Sequence, residues 1–367
     1  MKIDFIAYHS IHAQCGQSVF NYLSKYHECR WLMGPFASAP GGDGDAVVML
    51  SHRFFHNFYK SRDGYKYLFH LSHDLADINL YQVDNLDDFD LIFVPTDKAF
   101  ESCIQNGYGL NKIIKSGWPK YDLVEKLPKW NFLENFDEGK KTVIYAPSWV
   151  VNDEWKIVFD FFSKLDVNVI IKNHIMVDQD QEYPPGEEDD YKKVRKALDQ
   201  MENQAKILKF NIAPRTMNIV ELFLHSKAVV AVSDVSSCLL EFLPFGTSIE
   251  TGGGDGPNDA SKFSSLVKFI PADDLIKLDS EQFHALVSKE HAKEASFIDF
   301  DFNISYGQLI ADRIHEHISN TKPIIRYRDT EGYFVLRKFI RRNIKKIIVL
   351  LIPKVFLEII FSGVNKK

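Results

Sequence analysis

Cysteine is scarce in this chain. Four cysteines, Cys15, Cys29, Cys103 and Cys238, are spread through 367 residues, and no two stand in Cys-x-x-Cys spacing. That scatter argues against a zinc ribbon and against a disulfide framework, and it suits a reducing compartment. Glycine-rich phosphate loops are missing too. The chain has no Walker loop, no strand-borne Gly-x-Gly-x-x-Gly and no Gly-x-Ser-x-Gly elbow, which removes P-loop hydrolysis, a dinucleotide fingerprint and an α/β-hydrolase nucleophile. The glycines of Gly252-Gly-Gly-Asp-Gly-Pro257 lack the strand-loop-helix order of such a fingerprint and read as a loop beside a cleft or a plain turn. Positive charge is not in excess: the formal net charge is -6, so a nucleic-acid partner is not expected. His52 with His56, and His70 with His73, lack the carboxylate or cysteine that would complete a zinc set, so neither metal nor cofactor is expected. The apolar stretch at the start, Met1 to Tyr8, is too short for a signal peptide and reads as a first strand, so a cytoplasmic protein is expected.

What the chain does have is apolar runs of strand length with helical patterns between them. Ile3–Tyr8, Ala46–Leu50, Tyr67–Leu71 and Leu91–Val94 fill the first third, and Thr142–Ala146, Val167–Lys172, Lys206–Phe210 and Ala228–Val232 follow. Continuous Val/Ile/Leu runs alternating with helices predict an α/β chain with two parallel sheets, each covered on both faces. Gly117-Trp-Pro119 and the polar stretch from 127 to 141 separate the two sets. The expected division is residues 1–125, residues 126–320 and a tail, 321–367. Two open parallel sheets facing one another put a cleft at the carboxyl ends of their strands, where ligands of such sheets bind.

Helices are expected over Ser280–Val287 and Tyr306–Ser319. In the tail, helical spacing over Leu336–Ile347 gathers Arg337, Lys338, Arg341, Arg342, Lys345 and Lys346 opposite Leu336, Ile340, Ile344 and Ile347. The apolar run that follows is broken by Pro353, Lys354 and Glu358, short of the roughly 20 residues of a membrane span. Residues 333–361 are therefore expected to lie on an anionic membrane surface at its inner face, or else to pack on the body or a partner.

Polar motifs stand where the apolar runs end. Val229–Val232 breaks into Ser233-Asp-Val-Ser-Ser237 and restarts as a helix, giving an anion socket of free N–H groups and hydroxyls, or an ordinary helix capped by Asp234. Val167–Lys172 delivers Lys172 and His174 to the same side of a strand end, a cation beside an imidazole. Thr142–Ala146 ends in Pro147-Ser148, and Tyr67–Leu71 ends in Ser72-His73-Asp74. A neutral histidine there suits proton removal from a hydroxyl.

Taken in order, Tyr8-His-Ser-Ile-His-Ala-Gln-Cys-Gly16, Gly117-Trp-Pro-Lys-Tyr-Asp122, Tyr145-Ala-Pro-Ser-Trp149, Lys172-Asn-His174 and Ser233-Asp-Val-Ser-Ser237 resemble motifs of the CDP-glycerol glycerophosphotransferase family, which includes teichoic acid primases and polymerases. The resemblance runs over roughly residues 1 to 250. It implies a two-domain fold of the glycosyltransferase-B (GT-B) type, with two Rossmann-like domains facing across a cleft, the nucleotide in the C-terminal one and the acceptor near the N-terminal one. It also implies a CDP-activated donor, a lipid-linked or polysaccharide acceptor, and transfer of an alditol phosphate with release of CMP. His73, or its rival His70, would deprotonate the acceptor, with Ser10 and Asp74 on the same side. His174 would join it in catalysis, and Ser148, Lys172, Arg215, Ser233, Asp234, Ser236, Ser237 and Glu241 would hold the donor. Glu241 would reach a ribose hydroxyl or form a surface pair. A GT-B glycosyltransferase using a nucleotide sugar and a silent scaffold of the same fold are the alternatives.

Overall fold

The computed structural model describes residues 1–7, 10–33, 44–50, 65–72, 75, 86, 89–125, 132–147, 153–173, 188–215, 217–252, 260–288 and 303–323. Residues 1–323 form one compact unit. The expected membrane-binding tail, residues 333–361, lies outside the described residues, among which no helix is long and apolar enough to cross a membrane.

Two six-stranded sheets organise this unit, and every strand pairing in them is parallel. The first is built from β1 (Lys2–Ala7), β2 (Glu28–Met33), β3 (Ala46–Met49), β4 (Tyr67–Leu71), β5 (Leu91–Val94) and β6 (Ile113–Lys115), in the order β2-β1-β3-β4-β5-β6. The second is built from β7 (Lys141–Tyr145), β8 (Val167–Ile171), β9 (Asn211–Ile212), β10 (Ala228–Ser233), β11 (Thr247–Glu250) and β12 (Lys268–Phe269), in the order β12-β11-β10-β7-β8-β9. The helices, in chain order, are α1 (Ser10–Leu23), α2 (Asp97–Gln105), α3 (Glu154–Ser163), α4 (Glu188–Ile207), α5 (Ile219–His225), α6 (Cys238–Phe242), α7 (Ala260–Phe263), α8 (Ala272–Leu275), α9 (Ser280–Ser288) and α10 (Tyr306–Asn320). A 3-10 segment, Pro119–Glu125, follows β6.

The apolar runs become strands because helices bury both of their faces. On one face of the second sheet, Val143, Tyr145, Val169 and Ile171 pack with Trp155, Phe159 and Phe162 of α3 and with Phe283 of α9. On the other, Ile144, Ile170 and Ala231 pack with Val220, Leu222 and Phe223 of α5 and with Leu239 and Leu240 of α6. A fully buried side chain of this size contributes about 1.5–3 kcal/mol, so period-two alternation gives way to unbroken apolar strands. The same cluster extends into the first sheet through Trp118 and Tyr121, reaching Phe5, Val48 and Phe69.

Two stretches depart from the sequence expectation. Lys206–Phe210, expected as a strand, is instead the last turn of α4 and its exit, because Leu198, Met201 and Ala205 carry the buried helical stripe to the helix end. Lys209 then turns the chain in the left-handed region, φ 59°, and Asn211–Ile212 alone joins the sheet. The helix expected over Tyr306–Ser319 forms, but it packs on the first sheet's side: Ile310, Ala311 and Ile314 join Cys15, Val19 and Leu23 of α1 in one cluster. Tyr67 Oη donates to the Thr321 carbonyl at 2.7 Å and pins its far end.

Candidate functional site

Strand order reverses in the second sheet at β7, which pairs with β10 on one side and β8 on the other. A crevice outside the carboxyl ends of the strands at such a switch point is where open α/β sheets bind ligands. Here the ladder continues one residue past the strands. Ala146 N donates to Val232 O at 2.8 Å, Lys172 N to Tyr145 O at 2.9 Å and Ala213 N to Ile171 O at 2.9 Å. Ser233 Oγ donates across the reversal to Ala146 O at 2.6 Å. The exits of β10, β7, β8 and β9 are thereby held side by side, which brings Ser233, Lys172 and Arg215 along one rim.

Lys172 is the group at this rim with the strongest chemical leaning. Its side chain is only 6% exposed, and its ammonium donates to two main-chain carbonyls, Asn173 O at 2.9 Å and Arg215 O at 2.8 Å. Burial pushes its pKa down to about 7, helped by the Lys120 and Arg215 charges and opposed by Cys238. Arg215 does not supply a second open cation. Its guanidinium is held by Glu202 at 2.8 and 3.0 Å and lies 3.6 Å from Asp199, both on α4. Asn173 also turns onto Glu202, its amide donating at 2.5 Å.

The Ser233–Ser237 turn leads into α6. Ser233 is fully buried and spends its hydroxyl on the sheet, so it is a structural clamp in this geometry. Asp234 is buried as well, and its carbonyl accepts from Gly252 N at 3.0 Å, tying this turn to the exit of β11. Ser236 Oγ accepts from Cys238 N at 3.3 Å, while Ser237, at the N-cap, makes no side-chain cap bond. Both hydroxyls remain able to donate. With five residues α6 is about 7 Å long, so its aligned dipoles add little, and the positive charge of the rim comes mainly from Lys172.

Glu241 forms a buried pair rather than a surface one. It is 5% exposed, and both carboxylate oxygens accept from Lys120 Nζ, at 2.8 and 3.0 Å. Lys120 belongs to the 3-10 segment after the first sheet. Burial by itself would lower its pKa, but the carboxylate outweighs this and the net shift is upward. The next residue, Tyr121, donates its hydroxyl to the Glu241 carbonyl at 3.0 Å. Lys120, Tyr121, Asn173 and Glu202 carry much of this arrangement and were not marked as site residues by sequence. A lysine between a proline and a tyrosine reads as exposed, and only the fold brings it to α6.

On the opposite side, Ser10 opens α1. His70 sits inside β4, 1% exposed, with its ring edge-on to Phe89 at 5.4 Å, which makes it an interior residue. His73, Asp74, Ser148 and His174 lie outside the described residues.

No known family's sequence profile matches the chain, and no curated protein matches it. Solved structures do. A putative UDP-N-acetylglucosamine 2-epimerase from Listeria monocytogenes has a TM-score of 0.61 at 14% identity, covering 89% of this chain and 99% of that one. The UDP-GlcNAc 2-epimerase of Methanocaldococcus jannaschii, solved with UDP-GlcNAc and UDP, gives 0.58 at 13% identity, covering 86% and 100%. S. aureus MnaA, solved with UDP, gives 0.56 at 12% identity, covering 89% and 100%. The fold is GT-B.

These GT-B neighbours overturn the resemblance to CDP-glycerol glycerophosphotransferases: they are UDP-GlcNAc 2-epimerases, and those solved with nucleotide hold UDP or UDP-GlcNAc. The CDP-activated donor, the lipid-linked acceptor and the teichoic acid assignment fall with it. The physical reason is that the described parts of the motifs behind the resemblance do structural work at strand ends and between the halves. Gly117 to Asp122 joins the halves and Ser233 closes β10 onto β7, so those residues report the fold before they report a donor.

Proposed function

We propose that this chain is an enzyme acting on a nucleoside-diphosphate sugar, with the diphosphate lying over the exits of β10, β7 and β8. The observation that carries this reading is Lys172, a buried ammonium at the switch point whose hydrogen bonds, among the described residues, go to the carbonyls of Asn173 and Arg215. A diphosphate supplies the counter-charge such a group lacks, and charge-assisted bonds of this kind contribute about 1.5–3 kcal/mol. Ser236 and Ser237 donate hydroxyls to the same group. His174, two residues beyond Lys172, and Ser148, after Pro147, complete the set of contacts on the nucleotide side. His73 belongs to the other half and serves the sugar. The GT-B likeness to UDP-GlcNAc 2-epimerases makes a UDP-sugar the first substrate to try.

Calorimetric titration with UDP and UMP tests the site. UDP should bind more tightly than UMP, and Lys172→Met should weaken UDP by about 10- to 100-fold while leaving UMP less affected. Absence of UDP binding, or a Lys172→Met affinity equal to wild type, would refute the reading. Incubating the protein with UDP-GlcNAc and related UDP-sugars, and following the products by NMR, then separates change of the sugar itself from its transfer.

A further inference from the structure

Two main-chain carbonyls, of Asn173 and Arg215, hold the Lys172 ammonium, and both lie past the last rungs of the sheet. Among the described residues the ladder at this rim ends with Lys172 N on Tyr145 O and Ala213 N on Ile171 O, before either carbonyl is reached. Each of the two residues is tied instead through its own side chain, and to the same atom. Glu202 Oε1 accepts from Asn173 Nδ2 at 2.5 Å, from Arg215 Nε at 3.0 Å and from Arg215 Nη2 at 2.8 Å. Asn173 is 1% exposed and its Oδ1 has no partner among the described residues, so the bond to Glu202 is what orients its amide. Asp199 also faces Arg215, but at 3.6 Å it is beyond hydrogen-bond reach. Helix α4 brings Glu202 to these strand exits because Leu198, Met201 and Ala205 bury its inner stripe, and Glu202 follows Leu198 by four residues, on the same side of the helix.

We infer that Glu202 is a positioning residue for Lys172: one carboxylate oxygen fixes the two residues whose carbonyls hold the ammonium, and so sets where its third N–H is offered to a ligand. The inference deepens the nucleotide-sugar reading of the rim and rests on it for the identity of that ligand. An ammonium carries three donors on a flexible four-carbon stem. Two of them go to carbonyls, at 2.9 and 2.8 Å, which leaves one. Holding such a stem in place before the ligand arrives removes part of the ordering cost of binding, about 2- to 10-fold in affinity for one long side chain. Coulomb's law alone argues the other way. Glu202 is an anion close to a site for a diphosphate, and its removal would also release the Arg215 guanidinium as a second cation. Loss of Glu202 should therefore tighten a diphosphate if charge decides, and weaken it if position decides.

The test uses the full chain with carbon-13-labelled lysine, observed by NMR at pH 6 without ligand, the Lys172 signal being the one that Lys172→Met removes. In the wild type the two ε-protons of Lys172 should have separate shifts, because the ammonium is held in one place. Glu202→Ala should merge them, and Arg215→Met, which cuts the tie from its other end, should do the same. Glu202→Gln keeps an acceptor at the same position and should leave them apart. Calorimetry should then show UDP weakened by about 10-fold in Glu202→Ala and near its wild-type affinity in Glu202→Gln. Separate shifts that persist in folded Glu202→Ala and Arg215→Met overturn the inference, whether or not UDP binds. UDP affinity that is unchanged or tighter in Glu202→Ala overturns it too. Merged shifts in the variants, with a wild type that fails to bind UDP, support the positioning of Lys172 and refute the nucleotide reading alone. A merely structural Glu202 would lower thermal stability and leave the ε-protons as they are.

Discussion

Lys172 shows how one residue can carry a function and a cost together. Its folded pKa, about 7, lies below the ordinary lysine value of 10.5, so between those two values the unfolded chain binds more protons than the folded one. Stability of the ligand-free protein therefore rises with pH across that window. The burden of the charged form is greatest below pH 7. Lys172→Met should accordingly stabilise the ligand-free protein at pH 6 by a few kcal/mol and have much less effect at pH 10, measured by denaturant unfolding. The same substitution should weaken UDP. For wild type, UDP affinity should fall as pH rises through 7, because the ammonium is lost. Affinity that stays flat from pH 6 to 9 would show that Lys172 does not meet the phosphate. Lys120 behaves in the opposite sense. Lys120→Met leaves Glu241 buried without its cation, and breaking such a pair costs about 3–5 kcal/mol. Unfolding of the single variant should show that loss, and adding Glu241→Gln should recover much of it.

At the scale of elements, the stretch Gly117–Glu125 does more than the sequence revealed. Lys120 and Tyr121 grip α6, while Asp122 receives α10: its carboxylate accepts from Ser18 Oγ at 2.7 Å, Ser305 Oγ at 2.9 Å, Tyr306 N at 3.0 Å and Gly307 N at 2.6 Å. It thus satisfies the first donors of α10 and ties them to α1. Asp122→Ala should cost about 2–4 kcal/mol, the sum of a lost cap and of donors left unpaired, and should speed amide exchange in the first turn of α10. Unchanged exchange at Tyr306 and Gly307 would show that the clasp is not needed. Gly117 is required for two reasons. Its φ is +70°, and an added Cβ would lie 2.2 Å from the Tyr306 ring, so Gly117→Ala should lower the melting temperature markedly and disturb the same helix start. Periodicity and order made this segment visible as a motif, but they could not assign its work. Each partner lies 104 to 185 residues away, and side-chain type alone does not say which long-range contact a residue will find. The strands were easier. Val/Ile runs such as Val167–Ile171 declare a parallel sheet by composition, whereas the two-residue strands Asn211–Ile212 and Lys268–Phe269 are too short to carry a pattern.

For the whole molecule, the consequence is that the two halves are joined by chemistry at both ends of their contact. The 3-10 segment leads from the first sheet to α6 of the second, and α10 returns from the second to lie on α1 of the first. Asp122, two residues after Lys120, ties the docking of α10 to the segment that grips α6. That docking includes an acid-sensitive contact. His27 Nε2 and His315 Nδ1 lie 3.1 Å apart, a hydrogen bond that needs at least one neutral ring. Burial lowers the His27 pKa, and the neighbouring His315 and the chain's amino terminus lower it further. Tyr26 packs its ring on His315 from the same turn, tilted by 32° with centroids 4.8 Å apart. A histidine whose folded pKa is depressed gives stability that is present above its unfolded value of 6.5 and is lost as pH falls through the folded one. Unfolding free energy should thus decline from pH 7 to pH 5, with amide exchange in α10 rising first. His315→Gln removes one ring of this contact and should make that decline shallower, with little change at pH 8. Equal slopes in wild type and variant would mean that the contact bears no part of the acid response, and that the return of α10 rests on Asp122 and the apolar contacts of Ile310 and Ile314 alone.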